Sequence, residues 1–136
     1  ELGFASYADA VATADLASTP PVFQHVVSEA RRVMACVDAL KADQAECFGR
    51  LLLEGHASLR DRLQVSCEAL DRLVDAAMAS GALGARLTGA GFGGCAVVLC
   101  RTADRDKVRD GLIERFYAGR SDYLIDAEPG PGAIKN

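Results

Sequence analysis

Between Val22 and Leu40 the apolar residues Val26, Ala30, Val33, Val37 and Leu40 recur at steps of three and four, the spacing that lines one face of an α-helix. Pro20-Pro21 marks the start, where proline is tolerated, and Lys41-Ala42-Asp43 makes a break. A second helix is predicted from Asp43 to about Arg62, with Phe48, Leu52 and Leu59 turned inward. Gly55 lies inside it, at a cost of roughly 1 kcal/mol relative to alanine. Ser66 can cap a third helix, which buries Leu70, Leu73, Val74, Ala77 and Met78 and turns Glu68, Asp71, Arg72 and Asp75 to water. Ser80-Gly81 ends it.

Beyond Gly81 the period changes. Ala85–Thr88 reads as a short strand, Gly89–Gly94 as a glycine-rich loop, and Cys95–Cys100, a continuous apolar run, as a buried strand. A helix from Ala103 to Tyr117 follows, with Val108, Leu112, Ile113 and Phe116 on one face and Gly119 as its stop. Ser121–Ala127 alternates enough for a last strand, and Pro129-Gly130-Pro131-Gly132 forms a non-helical tail. At the other end, the polar, Ala-rich stretch Glu1–Thr19 has room for one short helix around Tyr7–Leu16. Helices come first, then strand, loop, strand, helix, strand. That segregation predicts an α+β fold, a small antiparallel sheet with helices packed on one face.

Composition fits this picture. The 136 residues make one domain, 50% of them hydrophobic and 25% charged, which is globular rather than disordered. A net charge of -4 offers no phosphate-tracking surface for nucleic acid. No apolar run approaches the roughly 18 residues of a membrane span. The start, Glu1-Leu2-Gly3-Phe4, lacks a signal-peptide pattern and an initiator methionine, consistent with a beginning inside a longer gene product. Cys36, Cys47, Cys67, Cys95 and Cys100 are odd in number and contain no CxxC pair. They read as small buried hydrophobes in a reducing compartment. His25 and His56 stand apart, so no metal-ligand cluster is evident.

The candidate chemistry lies in Thr88-Gly89-Ala90-Gly91-Phe92-Gly93-Gly94. Each glycine costs backbone entropy on ordering. The usual compensation is a positive φ, or close approach of the backbone to a ligand through N–H groups that converge on an anion. Gly89, Gly91 and Gly94 match GxGxxG, but a dinucleotide site needs a helix straight after the loop, and Cys95–Cys100 is β-type. A protein-kinase loop needs a lysine on the next strand, and the first one here is Lys107, in a helix. A Walker loop needs Gly-Lys-Ser/Thr, and Cys95 follows Gly94. From the loop alone, a tight turn between two strands with no ligand remains open.

The same segment resembles the third motif of the GHMP kinases. The stretch Glu54-Gly55-His56-Ala57-Ser58-Leu59-Arg60-Asp61, followed by Val65-Ser66-Cys67 and Leu70-Asp71, is similar to the galactokinase pattern SHxSLRD…VSCPELD. His25-Val26-Val27-Ser28-Glu29 is similar to RHVVTEN, and Leu2-Gly3 and Pro129–Ala133 fall where galactokinases carry similar residues. Gly55 stands where those proteins have a larger polar residue, Ala30 where they have Asn, and Ala69 where they have Pro.

The resemblance implies a GHMP kinase C-terminal domain over residues 1–136, a ferredoxin-like elaboration of the small sheet. It implies transfer of the γ-phosphoryl group of ATP, with Mg2+, to the C1 hydroxyl of galactose by a cytoplasmic enzyme. The catalytic Asp and its Arg partner would sit in an N-terminal domain that is the partner of this one, and no catalytic residue is assigned here. By resemblance Gly89, Gly91, Gly93 and Gly94 approach the nucleotide phosphates. Ser58 and Arg60, with Asp61, are candidates for lining the substrate cleft, the alternative being an exposed polar helix end. His56 is expected to be packed or capping rather than a general base. A sugar or nucleotide sensor without chemistry, and a kinase for another sugar, are the competing functions.

Overall fold

Two glycines set the closest approach in the fold. A Cβ on Gly49 would lie 2.2 Å from the carbonyl oxygen of Leu83, and one on Gly84 would lie 2.1 Å from the carbonyl oxygen of Gly49. The second helix therefore rests backbone-to-backbone on the strand that starts at Gly84. The computed structural model describes residues 15 and 18–127. The helix expected at Tyr7–Leu16, apart from Asp15, and the Pro-Gly tail lie outside them.

The elements are α1 (Pro21–Lys41), α2 (Ala45–Ser58) running on into a π-helical turn (Leu59–Leu63), α3 (Glu68–Ala79), β1 (Gly84–Thr88), β2 (Cys95–Leu99), a 3-10 turn (Thr102–Asp104) and α4 (Arg105–Arg115). β1 and β2 pair antiparallel, with Gly84 opposite Leu99 and Thr88 opposite Cys95. Ala85 packs with Leu73, Val74 and Ala77 of α3 and with Val108 and Leu112 of α4. Leu87 joins Leu59 and Leu70 in a second buried group. These are the apolar faces that the periodicity assigns to α3 and α4. The stop of α4 also holds: Ala118 and Gly119 take positive φ, and the Gly119 N–H bonds the Ile113 carbonyl at 3.0 Å.

Several expectations need correcting. Ser66 does not cap α3: the N-cap is Cys67, and the Ser66 hydroxyl donates to the Asp71 carboxylate instead (2.6 Å). Asp71 is accordingly only partly open to water. The run Cys95–Cys100 is not a buried strand, because β2 is one of only two strands among the described residues, and Cys95 and Val97 on it are exposed. None of the five cysteines is a fully buried hydrophobe: Cys36, Cys47, Cys67 and Cys100 are partly buried and Cys95 is exposed. Ser121–Ala127 forms no strand: Tyr123 stacks on Tyr117 at 5.7 Å, and the Arg120 guanidinium lies over the Tyr123 ring at 4.4 Å. Those ring contacts hold the segment against the end of α4.

The largest correction is the facing of α1. Val26, Val33, Val37 and Leu40 are exposed, with Val33 at 54% and Leu40 at 61%. The inward stripe is His25, Glu29, Arg32, Cys36 and Ala39, one residue and thus about 100° round the helix. The reason lies beneath it. The Arg86 side chain leaves β1 toward α1, passes Gly55 (a Cβ there would lie 2.8 Å from Nη1) and donates to Glu29, which also pairs with Arg32. The glycine inside α2 is thus explained: it admits the guanidinium. A half-buried arginine needs a carboxylate, so the polar stripe of α1 faces in and the apolar stripe faces out. Burial pushes the Glu29 carboxyl up, but the Arg86 hydrogen bond and the charges of Arg86 and Arg32 outweigh it and hold the pKa below the ordinary value.

Both histidines brace this interior. His25 Nδ1 lies 2.9 Å from Ser58 Oγ, joining α1 to the end of α2. His56 Nδ1 accepts the N–H of Leu87 at 3.3 Å, joining α2 to β1. That acceptance fixes the neutral tautomer with the proton on Nε2. Burial, ahead of the neighbouring charges, lowers the pKa of each ring below 6.5; Glu29 opposes the shift at His25, and Asp71 opposes it at His56.

Two outcomes are expected. Below about pH 6.5 the unfolded chain protonates both histidines while the folded chain resists, so stability is full above that pH and falls as pH drops through the depressed values. Thermal melts should lose Tm as pH falls below about 6.5, and His25→Gln with His56→Gln should flatten that limb; a wild-type Tm that stays constant across that fall would contradict it. The 136-residue chain alone should also self-associate through the outer stripe of α1. Sedimentation should show oligomers that Val33→Glu with Val37→Glu returns to monomer, whereas a wild-type monomer at high concentration would refute the assignment.

Candidate functional site

The glycine loop is held from inside the fold. Gly91, Phe92, Gly93 and Gly94 have φ of +86°, +58°, +131° and +89°, and Gly89 has +82°. Four successive left-handed residues are unfavourable for any chain not rich in glycine, which accounts for the composition. Phe92 adopts this conformation without being glycine, and it is kept there by donating its N–H to the Val65 carbonyl at 2.7 Å. Gly91 lies against the same carbonyl: a Cβ on it would meet Val65 O at 2.3 Å and Val65 Cβ at 2.9 Å. The backbone that Gly91 approaches is therefore the protein's own. Beside Gly89, Gly93 and Gly94 a Cβ would meet nothing within 4 Å among the described residues.

Val65 is itself fixed by the π-helical turn, a feature that tends to occur at functional sites. Its N–H donates to the Leu59 carbonyl at 3.1 Å, and Gln64, at φ +58°, reverses the chain between them. Leu59, Val65 and Phe92 are thus linked by two backbone hydrogen bonds. They couple the segment Ser58–Arg60 to the glycine loop, two stretches that lie far apart in sequence.

A side-chain brace surrounds that link. Asp71 Oδ1 accepts from Ser66 Oγ, next to Val65, and lies 3.2 Å from His56 Nε2. The imidazole is turned off the hydrogen-bond line, so this contact is one of proximity. His56 in turn receives the Leu87 N–H, two residues before Gly89. His56 is packed at 3% exposure, as expected.

The two cleft candidates, Ser58 at the end of α2 and Arg60 on the π-turn, differ. Ser58 is buried and engaged by His25, and it contributes to a hollow of about 310 Å³ with Arg32, Glu54, Ala57, Asp61 and Arg62. Arg60 is exposed and clasps the neighbouring Asp61 through two hydrogen bonds, of 2.7 and 3.0 Å. Sequence patterns miss Val65, Ser66 and Asp71 as supports of the loop. Val65 acts through its carbonyl, which leaves no trace in residue type, and Ser66 and Asp71 fit a helix start equally well.

Comparisons with known proteins show the family. Residues 36–118 match the family described as GHMP kinases C terminal. Galactokinase of Streptomyces coelicolor is 46% identical over 112 residues, and human galactokinase 42% over 108, covering 81% and 79% of this chain. The chain spans only 29% and 28% of their lengths. A crystal structure of Lactococcus lactis galactokinase complexed with galactose superposes with a TM-score of 0.60 at 38% identity, over 76% of this chain and 29% of that one. Mevalonate kinase of Leishmania major, solved with R-mevalonate, gives 0.56 at 31% identity over 70% of this chain and 27% of its own. With the family match spanning the α2–β1–loop–β2–α4 body, the chain belongs to the GHMP kinases as a C-terminal domain of that family.

Proposed function

We propose that this chain is the C-terminal part of a galactokinase, which transfers the γ-phosphoryl group of ATP to the C1 hydroxyl of galactose, with Gly89–Gly94 at the nucleotide cleft. The observation that carries the reading is the loop's division of labour. Gly91 and Phe92 are clamped to Val65, while Gly89, Gly93 and Gly94 present left-handed backbone beside open space. Such backbone brings N–H groups toward an anion without a side chain in the way.

Phosphoryl transfer needs mostly positioning and charge stabilisation, and backbone N–H groups supply both without moving a proton. The Phe92 N–H is committed to Val65 and Gly91 lies against the same carbonyl, so the N–H groups of Gly89, Gly93 and Gly94 are the ones assigned to phosphate oxygens. Asp71 is engaged by Ser66 and His56, so the ligands of Mg2+ are assigned to the polypeptide outside this chain, along with the catalytic Asp and its Arg partner. Ser58 and Arg60 belong to the cleft wall in this reading, Ser58 by fixing the π-turn through His25 and Arg60 by its exposed charge. The outer stripe of α1 fits burial against the N-terminal portion that the longer relatives have. Free thiols at all five cysteines, and the absence among the described residues of a helix long and apolar enough to cross a membrane, fit an enzyme of the cytoplasm.

The test uses the whole polypeptide that contains this chain. It should convert galactose and ATP to galactose 1-phosphate, and Gly91→Val should lower kcat/KM for ATP at least about tenfold. A valine would lose the +86° backbone and collide with Val65. Normal kinetics in Gly91→Val would remove the loop from the nucleotide site. Binding of galactose and ATP without turnover would make the protein a sensor, and turnover of a different sugar would change the substrate.

A further inference from the structure

We infer that His56 is a positioning residue for the nucleotide loop, acting on both ends of it at once; the inference rests on the reading that this loop meets the phosphates of ATP. His56 never reaches the loop itself. Its Nδ1 holds the N–H of Leu87 at 3.3 Å, on the strand that delivers Gly89. Its Nε2 faces Asp71 at 3.2 Å, and Asp71 holds Ser66 at 2.6 Å. Ser66 is bonded in sequence to Val65, whose carbonyl clamps Phe92 at 2.7 Å and touches Gly91. The imidazole thus spans the entry of the loop and the anchor of its tip.

A ring does this better than an open chain, because its two nitrogens stand at a fixed separation, one accepting from the Leu87 N–H and the other packed beside the Asp71 carboxylate. The ring is 3% exposed and its far nitrogen has no aligned hydrogen bond, so it is held by packing and can transmit small displacements. The loop needs such support. It carries four successive left-handed residues, one of them Phe92, and its tip is held on Val65. A shift of the Val65 carbonyl moves Phe92 and Gly91 directly, whereas a shift at Leu87 moves Gly89. Positioning errors of this size are costly in phosphoryl transfer, where orientation supplies much of the rate.

The experiment compares His56→Phe, His56→Asn, His56→Gln and Ser66→Ala in the whole polypeptide, assayed well below each variant's Tm. Asn places an acceptor near the position of Nδ1 and Gln a donor near that of Nε2, so each keeps one arm of the brace; Phe keeps neither. His56→Phe should raise KM for ATP about tenfold, with Asn, Gln and Ser66→Ala in between and KM for the sugar within about twofold of wild type throughout. A role in stability alone would lower the folded fraction and hence the apparent kcat, but would leave KM for ATP where it was. Should the His56 variants fail to fold, Ser66→Ala, on a half-exposed side chain, reads the same path and decides alone. A KM for ATP within about twofold of wild type in every folded variant overturns the inference. A wild-type polypeptide without sugar-kinase activity overturns instead the functional reading beneath it.

Discussion

The hydrogen bond from the Phe92 N–H to the Val65 carbonyl is the contact on which the candidate site depends. It ties a loop of left-handed residues to the segment that follows the π-turn and forces Gly91 to be glycine. Everything that fixes Val65 therefore fixes the loop. The π-turn supplies the Leu59 carbonyl, Gln64 supplies the reversal, and Ser66 with Asp71 supplies the side-chain support. The division between clamped and open glycines follows, since only Gly91 lies on the carbonyl.

A second constraint is the half-buried Arg86 of β1. It must find a carboxylate, and Glu29 on α1 is the one provided. This pairing turns α1 by one residue from the orientation that hydrophobic spacing suggests. It also explains why α2 tolerates Gly55 in its interior. An ion pair in this position specifies orientation more than it stabilises, because desolvation of both charges offsets much of their attraction. The outward Val and Leu stripe is the corollary.

Much of the fold is legible in the sequence because α3, α4 and β1 bury apolar residues against one another at regular spacing. Leu73, Val74 and Ala77 face Val108 and Leu112 as the periodicity says. The loop is legible because glycine at positive φ leaves a compositional mark. Periodicity failed on α1, where it finds an apolar face correctly but cannot say what covers it. It also failed on Ser121–Ala127, where alternating residues make ring contacts with Tyr117 rather than a ladder. The anchor of the loop was hidden because a backbone carbonyl carries no residue signature. Ser66 and Asp71 were hidden because a helix start and a hydrogen-bonded brace use the same residue types.

The central claim is that the loop is built by the protein and then meets the nucleotide with the N–H groups left over. Amide hydrogen exchange of the whole polypeptide, with and without nucleotide, tests it most directly. Without nucleotide, the Phe92 and Leu87 amides should exchange slowly, whereas those of Gly93 and Gly94 should exchange rapidly and slow when ATP is added. A Phe92 amide that exchanges as fast as Gly93 until nucleotide binds would mean that the ligand, and not Val65, shapes the loop.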